Sequence, residues 1–401
     1  MKGTASPPIS TGSGCFKASA AERPHVEFSS LSRVVHGPGT LAQLGQIARE
    51  LGGSHILLVT DHGLEAVGHP QRAEQFLADA GLEVHVFDEV HQNPTSLDVE
   101  AGVEFARTSK IDLIVAVGGG SSMDCAKGVN FLLTNGGRMA DYRGFGKATR
   151  PMLPSIGVPT TAGTGSESQS YALITDECTH MKMACGDKKA AFRVTILDPE
   201  LTVSQPRSLT AVTGIDALAH AIESYVCTKR NPESKAFSLS AWQHLEPNFE
   251  IVLREPGNLE ARSAMQVGSN LAGAAIESAM LGICHSCANP LSAHYGITHG
   301  TAIGVLLPHV IRFNAPAAEL LYAELAALTH PLNGVPASEI LARRITELVA
   351  VAGQPTRLRD CGVSDSILPL LAFEASEQWT AKFNPRPVTE VELLEVYRAA
   401  W

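Results

Sequence analysis

The sequence predicts an α/β domain built on a parallel sheet over 27–206, then an all-helical domain over 207–401, with a loose tail over 1–26. Three observations carry this. Short apolar runs alternate with segments of helical spacing as far as about Pro206, the pattern of strands joined by helical crossovers. Beyond Pro206 strand signals nearly vanish, and long helical patterns take over. The chain has 401 residues, 44% of them hydrophobic and 18% charged, enough for two or three domains with sizeable cores.

The elements follow in order. VEFSSLSRVVHGPG reads as one or two strands closing into a turn, and TLAQLGQIARELG has the Leu/Ile spacing of a helix. HILLVTD is a strand ending in an acid, with a helix after it over HPQRAEQFLADAG. EVHVFDEV is strand-like, SLDVEAGVEFARTS helical, and IDLIVAVGGG a buried strand meeting glycines. PSIGVPTT, SYALITD and RVTILDP extend the sheet region. In the second half SLTAVTGIDALAHAIESYV, LEARSAMQVGSNLAGAAIESAMLGICHSCA and GTAIGVLLPHVIRFN each read as a helix. The middle one is rich in Ala, Gly and Ser, which suits close helix packing, and Pro290 is expected to end it or its continuation.

Composition excludes some functions. A net charge of −10 argues against nucleic acid or an anionic membrane as partner. There is no apolar run of about eighteen residues, so no spanning helix is expected. The tail is Ser/Gly/Pro/Ala-rich and lacks the apolar centre of a secretory signal. Eight scattered cysteines form no dense framework, which points to reduced thiols and a cytoplasmic protein.

Gly118, Gly119, Gly120 and Ser121 lie between a buried strand and a helix, where backbone N–H groups can approach a diphosphate. A tight turn without a ligand is the alternative. Asp61, at the end of HILLVTD, can bind a ribose diol and repel a 2′-phosphate, favouring NAD over NADP; it can equally be a turn aspartate. VPTTAGTGSES offers the hydroxyls of Thr160, Thr161, Thr164 and Ser166 around glycines.

Asp216 and His220 are four apart and share one helix face at the edge of its apolar stripe. A carboxylate and an imidazole held there need partners, and a metal satisfies both. His285 and His299 lie further on in GICHSCANPLSAHYGITHG. One carboxylate with three imidazoles suits Fe²⁺ or Zn²⁺ far better than Mg²⁺ or Ca²⁺. Hydrogen-bonded core histidines are the alternative, since the chain has 15 histidines. Cys284 and Cys287 bracket His285 but read as buried thiols on other faces of the helix.

Taken together, these segments resemble the iron-containing (group III) alcohol dehydrogenases. The resemblance runs from about Val26 to Trp401 through QNPT (92–95), GGGSSMDCAK (118–127), PTTAGTGSE (159–167), GIDALAHAIESY (214–225), the His285–His299 segment, LLPHVIRFN (306–314) and NPRPVTEVELLEVYRAAW. It implies a dehydroquinate synthase-like architecture and hydride transfer between NAD(H) and a small primary alcohol or aldehyde. Asp216, His220, His285 and His299 would ligate Fe²⁺, or Zn²⁺. Gly119, Gly120 and Ser121 would hold the NAD diphosphate, with Asp124 in the same motif. Asp61 would meet the adenosine ribose. Asn93, Thr160, Thr161 and Thr164 fall in cofactor loops, and Lys182 would stand near the nicotinamide ribose. Where the family reads H-x-x-x-H, this chain has His285 and Asn289, so the catalytic candidates are Asn289 and, five residues on, His294. Asn289 cannot titrate near neutrality. Competing readings on the same fold are a glycerol dehydrogenase, a maleylacetate reductase and a dehydroquinate synthase-type lyase; the Asp-His-His-His set and the C-terminal motif favour the alcohol dehydrogenases. A homodimer or higher homo-oligomer is expected.

Overall fold

The computed structural model describes residues 1, 26–29, 32–178 and 181–401, the side chains of 26–29 excepted. Apart from Met1 and the backbone of Val26, the expected tail lies outside the described residues. The strands are β1 (Val26–Ser29), β2 (Arg33–His36), β3 (His55–Val59), β4 (Glu83–Phe87), β5 (Leu113–Gly118), β6 (Gly144–Phe145), β7 (Ser155–Pro159), β8 (Tyr171–Thr175), β9 (Lys182–Gly186) and β10 (Val194–Leu197). Between them lie α1 (Leu44–Glu50), α2 (His69–Asp79), α3 (Ser96–Arg107) and α4 (Gly120–Asn135).

Seven strands form one sheet in the order β1-β2-β10-β7-β5-β3-β4. β1 is an antiparallel edge on β2, and the other six run parallel. Every residue of β5 is buried, because helices cover both faces of the sheet. Two apolar clusters result, one on each face. α3 is held at its start by a capping box in which Thr95 and Asp98 bond each other's backbone N–H. The expectation for SYALITD needs correction. β8 pairs with β9 in a separate three-stranded sheet with β6, and its exposed Leu173 fits that partly open surface better than a fully covered sheet.

From Arg207 onward the described chain is helical: α5 (Arg207–Val226), α6 (Pro232–Arg254), α7 (Leu259–Ser278), α8 (Ile283–Tyr295), α9 (His299–Ala326), α10 (Ala337–Val351), α11 (Leu368–Ser376) and α12 (Glu390–Ala400). They share one large core centred on α5, which packs against α6, α7 and α9. Two expectations change here. The single helix read through LEARSAMQVGSNLAGAAIESAMLGICHSCA is two helices, α7 and α8, meeting at 104° across residues 279–282. Pro290 does not end α8 but sits inside it, seven positions after its first residue. Among the described residues, no single helix is long and apolar enough to cross a membrane.

The halves meet closely. Gly165 packs against α7 at Gly273, where a Cβ on Gly165 would lie 2.6 Å from the Gly273 Cα. Only two glycines allow that backbone approach. Gln266 of α7 also donates to the Pro159 carbonyl at 3.1 Å, so the loop after β7 is seated directly on the helical half.

Candidate active site

The sheet order places β3 and β5 side by side, with β4 outward of β3 and β7 outward of β5. The direction of winding therefore reverses between β3 and β5. In open parallel sheets, ligands bind beyond the carboxyl ends of the strands at such a point. Asp61 follows β3 and the glycine turn follows β5, so residues far apart in sequence line one crevice. Asp61 Oδ2 accepts from the Ser122 hydroxyl at 3.1 Å. Gly120 opens α4 under Thr164, whose side chain would be 2.8 Å from a Cβ there, and Gly119 faces Thr161. Thr160 is buried and donates its backbone N–H to the Gly118 carbonyl at 2.9 Å.

Across the turn, the Ser121 hydroxyl accepts from the Asn93 backbone N–H at 3.2 Å. Asn93 adopts a left-handed conformation, φ 55°, which Asn tolerates better than most residues. Its side-chain oxygen accepts from Lys182 Nζ at 3.0 Å. Asn93, Ser121 and Lys182 thus form one chain of contacts at the crevice mouth.

Asp124, expected in the cofactor motif, has its protein partners in the neighbouring loop and helix. It lies a turn inside α4, buried, where it accepts from the Ser166 hydroxyl at 2.5 Å and stands 3.9 Å from Lys127 Nζ. Burial pushes its carboxyl above the usual range. Lys127, which sequence reasoning left unassigned, donates to the carbonyls of Ser166 (2.7 Å) and Tyr171 (2.8 Å). The pair therefore anchors the Thr160–Ser168 loop from behind the crevice. A lysine seven residues into the helix that follows an apolar strand and glycine turn gives no sequence signal of such a role.

On the helical half, α5 carries Asp216 and His220 one turn apart, α8 carries His285, and α9 opens on His299. Asp216 Oδ1 is the common point: His285 Nε2 lies 3.3 Å from it, His220 Nε2 3.4 Å and His299 Nε2 3.7 Å. Asp216, His220 and His285 are buried, and one ligand atom from each fits within a 4.8 Å span. His299 is half-buried. α9 reaches this position because its second residue is Gly300, where a Cβ would lie 2.0 Å from the Val212 carbonyl oxygen of α5.

Asp216 Oδ1 and His285 Nε2 are buried and have no hydrogen-bond partner in the protein, although they face each other. Such orphaned groups are costly, and a cation between them removes the cost. The donor set fits Fe²⁺ or Zn²⁺. Burial opposes charge on Asp216, but His220, His285 and His299 together hold its carboxyl below the usual range. Burial alone would depress His285, yet the neighbouring carboxylates of Asp216 and Glu223 carry it up to about 9. Enclosure, with the charges of His285, Lys182 and His220, pulls His299 down to about 3. Lys182 is thus electrostatically in touch with both the cluster and the nucleotide turn.

The two catalytic candidates separate. Asn289 is one turn beyond His285 on the same face of α8, and its amide donates to Gln378 Oε1 at 3.1 Å. His294 is not brought to the cluster: nine residues beyond His285, it pairs with Glu374 of α11 at 2.8 Å. Cys284 and Cys287 are buried as expected. Sequence reasoning missed Glu223, though its position seven after Asp216 places it on the same helix face.

Comparison with known proteins shows the family. The family model described as iron-containing alcohol dehydrogenase matches residues 32–199, and that of the Fe-containing alcohol dehydrogenase family C-terminal domain matches 210–401. The 1,3-propanediol dehydrogenase of Citrobacter freundii is 38% identical over 371 residues, covering 91% of this chain and 96% of that protein. The crystal structure of a 1,3-propanediol oxidoreductase superposes with TM-score 0.90 at 36% identity, covering 94% of this chain and 100% of the other. A sulfoacetaldehyde reductase from Bifidobacterium kashiwanohense, solved in complex with NAD⁺, superposes with TM-score 0.84 at 29% identity, covering 93% of this chain and 98% of that one. Matched across both halves, the chain belongs to the iron-containing alcohol dehydrogenase family and is an oxidoreductase acting on alcohols.

Proposed function

We propose that the protein transfers a hydride between NAD(H) and a small primary alcohol or aldehyde, with Fe²⁺ held by Asp216, His220, His285 and His299. Zn²⁺ is the other cation this donor set accepts. The observation that carries the reading is the pair of orphaned buried atoms, Asp216 Oδ1 and His285 Nε2, facing each other. When bound, the cation supplies Lewis acidity toward the substrate oxygen and the nicotinamide supplies the hydride acceptor.

The remaining roles belong to the chain. Gly119, Gly120 and Ser121 receive the diphosphate at the start of α4, with Thr161 and Thr164 above them. Asp61 takes the ribose diol and disfavours a 2′-phosphate. Asn93 and Lys182 orient the nicotinamide end, next to the cluster. Asn289 and Gln378 present a neutral amide wall one turn beyond His285, which can hold a substrate polar group but not accept its proton. The NAD⁺ complex of the sulfoacetaldehyde reductase supports the choice of cofactor.

The test is an anaerobic assay of Fe²⁺-loaded protein against a panel of alcohols, diols and aldehydes, following NADH, with metal content measured on the same sample. NAD(H)-linked turnover at one metal per chain is expected. A metal-replete protein with no turnover across the panel would overturn the reading. We also propose a cytoplasmic homo-oligomer. Buried free thiols at Cys125, Cys185, Cys227, Cys284 and Cys287 support a reducing compartment, and exposed Leu320, Phe373 and Val391 are apolar surface that an assembly would cover. Light scattering on the purified protein measures the oligomeric state.

A further inference from the structure

We infer that Glu223 is the positioning residue of the metal centre: it sets the tautomer of His285 and supplies the second negative charge that suits the site to a divalent cation. The inference rests on the metal reading above and concerns a residue outside the four ligands.

Glu223 follows Asp216 by seven positions and His220 by three, so all three project from one face of α5. It is 3% exposed, and among the described residues no Lys or Arg pairs with it. Both of its oxygens are used instead on α8. Oε1 accepts from the Cys284 backbone N–H at 2.8 Å, at the start of that helix. Oε2 lies 2.5 Å from His285 Nδ1. The carboxylate can come this close because residue 282 is glycine, where a Cβ would be 2.8 Å from Glu223 Oε1. The break between α7 and α8 therefore delivers a helix start and an imidazole to one buried carboxylate.

Two consequences follow. A carboxylate against Nδ1 keeps the proton on that nitrogen and leaves the Nε2 lone pair free. Nε2 is the atom that faces Asp216 Oδ1 and has no other partner. The second consequence concerns charge. Asp216 and Glu223 with three neutral imidazoles sum to two negative charges, which a divalent cation cancels in a region that excludes water. Lys182, whose charge reaches Asp216, is hydrogen-bonded to Asn93 on the far side.

The test compares wild type with E223Q and E223D, using Zn²⁺ and Co²⁺ alone as probes in competition with a chromophoric chelator. E223Q is near-isosteric and is expected to bind either cation 10- to 100-fold more weakly. The Co²⁺ absorption bands should shift, while NADH binding to the metal-free protein stays at the wild-type value. E223D keeps the charge one methylene short and should recover part of the affinity. Wild-type affinity and an unchanged Co²⁺ spectrum in E223Q would overturn the inference. Should E223Q fail to fold, the Zn²⁺-loaded wild type decides: a far-downfield imidazole N–H proton supports the Glu223–His285 bond, and its absence overturns it. Failure of the wild type to bind Zn²⁺, Co²⁺ or Fe²⁺ would instead remove the metal centre itself, and Glu223's role with it.

Discussion

Gly300→Ala tests whether the approach of α9 to α5 is what makes the centre. An added methyl would meet the Val212 carbonyl oxygen at 2.0 Å, its carbonyl carbon at 2.7 Å and its Cβ at 2.9 Å. Two of those three atoms are backbone of a buried helix, so rotamer changes cannot relieve the clash, and the helices must part by about 1 Å or more. Overpacking of this kind costs about 1–3 kcal/mol. His299 is the neighbouring residue and moves with the helix start, while Asp216, on the opposing helix, does not. Misplacement by about 1 Å costs on the order of 100-fold in turnover. We expect G300A to lose at least about tenfold in metal affinity, with a lowered melting temperature and kcat/KM reduced by about two orders of magnitude. Gly304→Ala is the internal control, one turn further along α9. Its methyl would meet only side-chain methyls, Val349 Cγ2 at 3.1 Å and Ile215 Cγ2 at 3.3 Å, which can give by a few tenths of an ångström. Its stability should change little, or rise by about 0.5–1 kcal/mol from the entropy of replacing a helical glycine. Chelator competition, calorimetry and steady-state kinetics on both variants decide the matter. Identical behaviour of G300A and G304A would refute the reasoning.

Other perturbations read other parts of the site. Asp61→Ser keeps a partner for Ser122 while removing the charge, and should lower the preference for NADH over NADPH by at least about tenfold; an unchanged ratio in kinetics with both cofactors would place the ribose elsewhere. Lys127→Met leaves the Ser166 and Tyr171 carbonyls and the Asp124 carboxylate without their buried ammonium, for a loss of about 3–5 kcal/mol in denaturant unfolding; a loss below about 1 kcal/mol would show that the loop is held by other contacts. Asn289→His places a titrating group one turn from His285, and the pH profile of kcat/KM should gain an ionisation near 6–7 that the wild type lacks. A profile identical to wild type would exclude position 289 from proton handling.

Much of the fold was legible because its signals are local. Alternating apolar runs and helical spacings mark the α/β half, and their disappearance after Pro206 marks the helical half. The small-residue run of α7 and α8 misled because Ala, Gly and Ser read as helix throughout. At the 104° bend the Cys284 backbone N–H donates to Glu223, 61 residues earlier, a contact that no local pattern encodes. SYALITD likewise reads as a strand, but which sheet it joins depends on where β9 returns.

The sequence alone determined the kinds of chemistry: which residues can ligate, which glycines can approach a phosphate, and which helix face Asp216 and His220 share. These depend on residue type and short spacing. Tertiary structure decided what those residues meet. It brought His285 and His299 to Asp216 from two other helices, withdrew Asp124 into the support of a loop, and paired His294 with Glu374 away from the cluster. It also revealed Glu223 and Lys127, buried charges whose partners lie on other elements. The physical reason is the same in each case: desolvating a charge is tolerated only against a specific partner, and that partner is chosen by packing rather than by neighbouring sequence.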